Sequence, residues 1–235
     1  MTKLAGFCIG MLFLFPAFAQ AETWKIAVIE DWPPYASRQL GDQSLGIMTL
    51  RKALKRIGVQ AKIEYYPWNR ARYIAKTDDS YVGYYCAWPE EVVTGFFASV
   101  AIFRSPIGLI SATENRLERG RWSTLKRLRF VMVKNYTYPI VFQNLAFKAQ
   151  VSDDLALMKF VASGRAEVGV IDKQVFDYLA NLHPDLKKTL TLHVSPAVNK
   201  PLVIAFRETD ENRIRADLLA ESGWDPVGVS PQTLN

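Results

Sequence analysis

Short β-branched runs alternate along this chain with helical patterns, and that alternation limits the fold more than any other feature. "WKIAVI" (24–29) reads as a buried strand, followed by the loop "EDWPPYAS" (30–37). In "LGIMTLRKALKRIG" (45–58) Leu50, Leu54 and Ile57 recur at helical spacing, and Gly58 closes the helix. "VQAKIEY" (59–65) is a second strand, "PWNRARYIA" (67–75) a helix with Pro67 in its first turn, and "SYVGYYCAW" (80–88) a third strand. Strands in series with helical crossovers imply parallel pairing in an α/β sheet.

The rhythm then repeats. "LRFVMVK" (128–134) predicts a strand and "YPIVFQNLAF" (138–147) a helix. "SDDLALMKFVASG" (152–164) predicts a helix capped by Ser152, with acids in its first turn and Gly164 as its stop. "AEVGVI" (166–171) is a strand, "KQVFDYLANL" (173–182) a helix and "TLTLHV" (189–194) a further strand. "SPIGLISAT" (105–113) lies between the two α/β units, and "NKPLVIAF" (199–206) follows the second. Two such extended crossings predict a second lobe inserted into the first. The expected boundaries are 22–107 plus 207–235 for the first lobe, 113–201 for the second, and hinges at 108–112 and 202–206.

The start of the chain stands apart from this pattern. Lys3, an apolar stretch from Leu4 to Phe18 and the exit Ala19-Gln20-Ala21 have the form of a secretory signal peptide over 1–21, too short for a membrane span. Export to the periplasm follows as an expectation, with Glu22 as the mature start. Cleavage leaves Cys86 as the single cysteine, so no internal disulfide can form. Loss of Lys3 lowers the formal charge from +6 to +5, and the surplus is scattered along the chain. A dispersed surplus argues for a solvated surface and against nucleic-acid binding.

"IAVIEDWPPYAS", "YYPWNRA", "YYCAWPEE", "FVMVKNYTY" and "VASGRAEVGVIDKQVF" occur in an order that resembles the bacterial extracellular solute-binding proteins of family 3, over about Trp24 to Arg207. The resemblance implies a type II periplasmic binding protein fold: two α/β lobes, two hinge strands and a ligand trapped as the lobes close. It implies a small-molecule ligand, an inner-membrane ABC permease as partner, a monomeric state and no cofactor. Sensor domains and a few dehydratases share the family.

Two adjacent prolines stiffen "EDWPPYAS", a loop suited to presenting an aromatic side chain. The resemblance places Trp32 there as a ring that stacks on the ligand, Trp68 as a second aromatic wall, and Tyr35 beside them. Asp172, which ends one strand and begins a helix, is an N-cap by its position. By resemblance it also accepts a ligand ammonium. Lys134 matches a position that reaches a polar ligand tail, and Tyr136, Thr137 and Tyr138 a loop that offers N–H groups to a carboxylate. Tyr84 and Cys86 lie on the strand leading into "CAWPEE".

That motif departs from the family. Amino-acid receptors place there an arginine that clamps the ligand carboxylate through a two-pronged charged hydrogen bond; this chain has Glu91. A carboxylate repels a carboxylate, so the expected ligand carries an amine, unless Arg70 or Arg104 replaces the missing cation. Enzymatic signals are weak. His183 and His193 lack evident partners, and no metal-ligand spacing, P-loop or G-x-S-x-G elbow occurs. The chain reads as a binding protein without catalytic residues.

Overall fold

The computed structural model describes residues 21–113, 117, 125–143, 145 and 148–226, the side chains of 194–197 excepted. The leader expected over 1–21 falls, but for Ala21, outside the described residues, as does the tail after Pro226.

β1 (Thr23–Ile29) alternates as a half-hidden strand must: Trp24, Ile26 and Val28 enter one core, and Ala27 enters another on the opposite face. "EDWPPYAS" then folds into a tight hairpin of β2 (Asp31–Trp32) and β3 (Ala36–Ser37), with a cis peptide between Pro33 and Pro34. α1 (Leu45–Arg56) starts directly against this hairpin. Its first N–H groups, from Leu45 and Gly46, bond to the carbonyls of Pro34 and Tyr35 at 2.7 and 2.9 Å. Helix starts leave such donors unsatisfied, and here the hairpin satisfies them. A Cβ on Gly46 would meet the Tyr35 carbonyl at 2.5 Å, so only glycine permits this approach.

β4 (Gln60–Tyr66), α2 (Trp68–Thr77) and β5 (Tyr81–Ala87) complete the first unit. β4 and β5 flank β1 in parallel, as the alternation requires. The small side chains of Ala27, Ala71 and Ala75 let α2 lie close on the sheet. β6 (Phe96–Ala98) follows, and β7 (Phe103–Ala112) carries the chain into the second lobe. There β8 (Phe130–Val133), α3 (Ile140–Gln143), β9 (Lys148–Val151), α4 (Asp154–Ala162) and β10 (Val168–Asp172) form the second unit. β8 lies between β9 and β10, parallel to both, and β10 pairs antiparallel with β7. α5 (Lys173–Leu182) and α6 (Pro184–Thr189) lead to β11 (Leu190–Arg207), and α7 (Asp210–Glu221) closes on the first lobe.

"TLTLHV" and "NKPLVIAF", read separately in the sequence, are one 18-residue strand. β11 pairs with β7 from Leu190 opposite Ala112 to Leu202 opposite Phe103, with a register break between Val194 and Asn199. Beyond Leu202 it joins β5 and β6. The main sheet therefore runs β4-β1-β5-β11-β7-β10-β8-β9 through both lobes.

The local structure departs from the sequence pattern in three places. Of the helix expected over 138–147 the structure shows Ile140–Gln143; residues 144, 146 and 147 lie outside the described residues, and the β-edge strand β9 begins at Lys148. α4 is capped by Asp153, not Ser152: the Asp153 carboxylate accepts from the Ala156 N–H at 2.7 Å, and the Ser152 hydroxyl donates to Asp153. The His183-Pro184 turn opens a further short helix, α6, for which proline at the first position is preorganised. Among the described residues no helix is long and apolar enough to cross a membrane.

Candidate functional site

Parallel strands in an open α/β sheet deliver their following loops to one side, and ligands bind at those carboxyl ends. The strands here converge in that way. Ile29 ends β1, Trp68 follows β4, Cys86 and Trp88 lie at the end of β5, and Lys134 to Thr137 follow β8. These residues, with Asp31, Trp32 and Glu91, line a cavity of about 240 Å³ between the lobes. Drug-sized ligands occupy roughly 300–1,000 Å³, so this cleft suits a smaller molecule.

Seven of the sequence-expected site residues meet there: Trp32, Trp68, Cys86, Glu91, Lys134, Tyr136 and Thr137. Trp32 packs on Tyr35 with ring centroids 4.6 Å apart, and edge-on to Trp88 at 6.3 Å and 77°. Trp68 stands edge-on to Tyr84 at 5.6 Å. Arg72 lies 5.4 Å over the Trp68 ring and Lys200 5.5 Å over the Trp88 ring, outside the lining.

Tyr35, Arg70, Tyr84, Tyr138 and Asp172 do not line the cavity. Tyr84 is buried. Its hydroxyl donates to the Glu91 carbonyl at 3.2 Å and accepts from the Val93 N–H at 3.1 Å, fixing the turn that carries Glu91. Tyr138 is also buried, its hydroxyl accepting from the Val133 N–H at 2.9 Å. Arg70 is exposed on α2, 5.2 Å from the Tyr73 ring, and Arg104 sits on β7 opposite Pro201. Neither arginine fills the vacancy left by Glu91. The cation among the described lining residues is Lys134, from the second lobe.

Asp172 is the main departure from expectation. It is an N-cap, as its position implied: Oδ1 accepts from the Gln174 and Val175 N–H groups at 2.7 and 3.0 Å. The Tyr35 hydroxyl donates to Oδ1 and Oδ2 at 2.9 and 2.8 Å, and the Ser105 hydroxyl to Oδ2 at 2.5 Å. A carboxylate offers about four acceptor sites, and these donors use them. Burial pushes the Asp172 carboxyl up to about 6, against the hydrogen bonds that favour its charged form. Burial and the facing Asp172 carboxylate together hold the Tyr35 phenol far above its ordinary range.

Glu91 also has internal partners. Its Oε2 accepts from the Trp88 N–H at 3.0 Å, and the Thr137 side chain bonds to it from the second lobe. Burial raises its pKa, opposed by these bonds and by Arg72. Tyr136 donates to Asp154 at 3.0 Å, and burial pushes the Asp154 carboxyl up to about 7.

Among the described residues two non-glycines have left-handed backbones, Cys86 at φ 73° and Asn135 at φ 65°, and both line the cavity. Asparagine tolerates this region, but cysteine enters it at a cost of about 1–2 kcal/mol. Such strain gathers where structure positions a ligand. The sequence reading did not single out Ile29, Asp31, Trp88 or Asn135. Trp88 and Asp31 lie within "CAWPEE" and "EDWPPYAS", so their place at strand ends was the available signal.

No protein-family profile and no curated protein sequence matches the chain. Solved structures do. The VFT2 domain of BvgS from Bordetella pertussis, as a double mutant, superposes with a TM-score of 0.68 at 13% identity, covering 90% of each chain. An ancestral cationic amino-acid solute-binding protein (AncCDT-1) gives 0.63 at 18%, covering 85% of this chain and 89% of its own. A histidine kinase sensor domain similar to periplasmic binding proteins gives 0.63 at 14%, with 85% and 89% covered. The chain has the fold of the two-lobed periplasmic binding proteins.

Proposed function

We propose that this protein captures a small amine-bearing molecule between its lobes, in the periplasm, and presents the closed form to an ABC-type importer. The observation that carries this reading is the lining of the cleft. Three tryptophans and the carboxylates Asp31 and Glu91 face the cavity, and among the described residues no arginine lines it. Indole faces attract cations by roughly 0.5–2 kcal/mol, more as water leaves. Opposite charges gain in a partly desolvated site. Closure turns on β7 and β11, the two strands shared between lobes, and binding involves no chemical step.

A thermal-shift screen of amines, amino acids, dicarboxylates and sugars tests the reading, because a ligand that binds only the native state raises its melting point. Amines should give the largest shifts, and small-angle scattering should show a smaller radius of gyration with them. Shifts confined to dicarboxylates or sugars would overturn it.

Sensing is the second reading. It is favoured by the fold shared with the BvgS VFT2 domain and with a histidine kinase sensor domain. Uptake of the labelled ligand that survives deletion of the protein, with loss of a transcriptional response to it, would select sensing over transport.

A further inference from the structure

We propose that the cleft is built for a methylated ammonium, a cation with no N–H to donate; this rests on the amine reading above. A primary ammonium leaving water needs acceptors for three N–H groups, and burying them unpaired is costly. The carboxylates beside the cavity are partly engaged. Asp172 is filled by Tyr35, Ser105 and two backbone N–H groups, and Glu91 already takes two of its roughly four bonds from the Trp88 N–H and Thr137. Among the described lining carboxylates this leaves the rest of Glu91 and Asp31, which is exposed to solvent.

The aromatic lining favours the same ligand. Trp32, Trp68, Trp88 and Tyr136 surround the space, and the Trp32 and Trp88 planes meet at 77°. Walls at right angles enclose a round group and fail to sandwich a flat one. The rings of this cleft already receive cations: Arg72 rests over Trp68 and Lys200 over Trp88, neither of them lining the cavity. Lys200 is neutralised by its ion pair with Glu90. A methylated ammonium is weakly hydrated and is held by ring faces and diffuse negative charge without directed hydrogen bonds. Lys134, from the second lobe, suits an oxygen-bearing tail.

Isothermal titration of the mature protein with choline, glycine betaine and their primary-amine counterparts, ethanolamine and glycine, tests the proposal, with succinate as the acid control. At least one methylated probe should bind ten-fold or more tightly than its counterpart. Trp32→Leu should weaken that probe ten-fold or more and Trp32→Phe, which keeps a ring, by less. If Trp32→Leu fails to fold, Trp32→Phe and the probe ratios decide. Lys134→Met should weaken glycine betaine at least ten-fold more than choline, which identifies a carboxylate tail. Equal or tighter binding of the primary amines would overturn the proposal and leave the amine reading standing. Binding of succinate alone, or of no probe, would overturn both.

Discussion

The Tyr35 phenol donates to both carboxylate oxygens of Asp172, at 2.9 and 2.8 Å, across 137 residues of chain. One residue lies in the first-lobe hairpin, the other at the end of the second-lobe strand β10, and both are buried. A side chain that could meet a ligand cation is thus spent on holding the hairpin of one lobe to the strand end of the other.

Tyr35→Phe keeps the ring on Phe103 and removes the hydroxyl. Asp172 retains Ser105 and two backbone donors, so the loss should be about 1–3 kcal/mol, the scale of a bond to a charged group. Urea unfolding measures it. Asp172→Asn should likewise lower stability more than affinity, because the carboxylate caps α5 and does not line the cavity; paired unfolding and titration experiments separate the two.

Cys86 provides a backbone test. Its left-handed conformation tolerates a β-branched side chain poorly, so Cys86→Val should destabilise by about 1–3 kcal/mol although the position is apolar and buried. Asn135→Gly, at the second left-handed position, should be neutral or slightly stabilising. Equal effects of the two on the unfolding midpoint would contradict the strain argument.

Acidification should stabilise the fold between about pH 7 and pH 4. Asp154 is held at about 7 and Asp172 at about 6, both above the ordinary aspartate value of 3.8. The native state therefore binds these protons more tightly than the unfolded chain. Their contribution is complete below the unfolded value and is lost as pH rises through the folded ones. Each such group can add at most about 1.4 kcal/mol per pH unit across its window. Glu64, held at about 2, acts in the opposite sense, but only below its ordinary 4.5. Melting temperatures from pH 8 to 4.5 should rise, and Asp154→Asn should flatten the curve.

Glu91→Arg should reverse the preference of the cleft. A guanidinium there pairs with a free carboxylate and repels an ammonium, so amine probes should weaken at least ten-fold, about 1.4 kcal/mol, while ordinary α-amino acids gain. Competition titration reads both, with thermal unfolding as the folding control.

Periodicity made the strands and long helices legible: β1, β4, β5, β8 and β10, with α1, α2, α4 and α5, lie where spacing places them, although α4 is capped one residue later than expected. β9 escaped because "KAQV" is a short edge strand with one intermediate face and one exposed, which leaves no apolar signature. α6 escaped because six residues span too few turns for a pattern. In the site, Trp32, Trp68 and Glu91 were legible from the loops that follow strands. The partners of Asp172 were not, since nothing local links residues 35, 105 and 172. Tertiary contacts alone decide whether a carboxylate is offered outward or used inside. Lys134 was legible only through the resemblance, because its lobe had to be folded onto the first before its neighbours were defined.

The 18-residue strand β11 has a consequence for how the chain acquires its structure. Residues 203–207 supply the partner of β5 and β6, and residues 190–202 the partner of β7. Neither lobe can finish its sheet while the C-terminal fifth of the chain is missing. A polypeptide emerging N-terminus first stays incomplete in both halves until residue 207 appears, and its decisive pairings join distant segments, the kind that form slowly. Both halves become able to set together only once that last strand is in place.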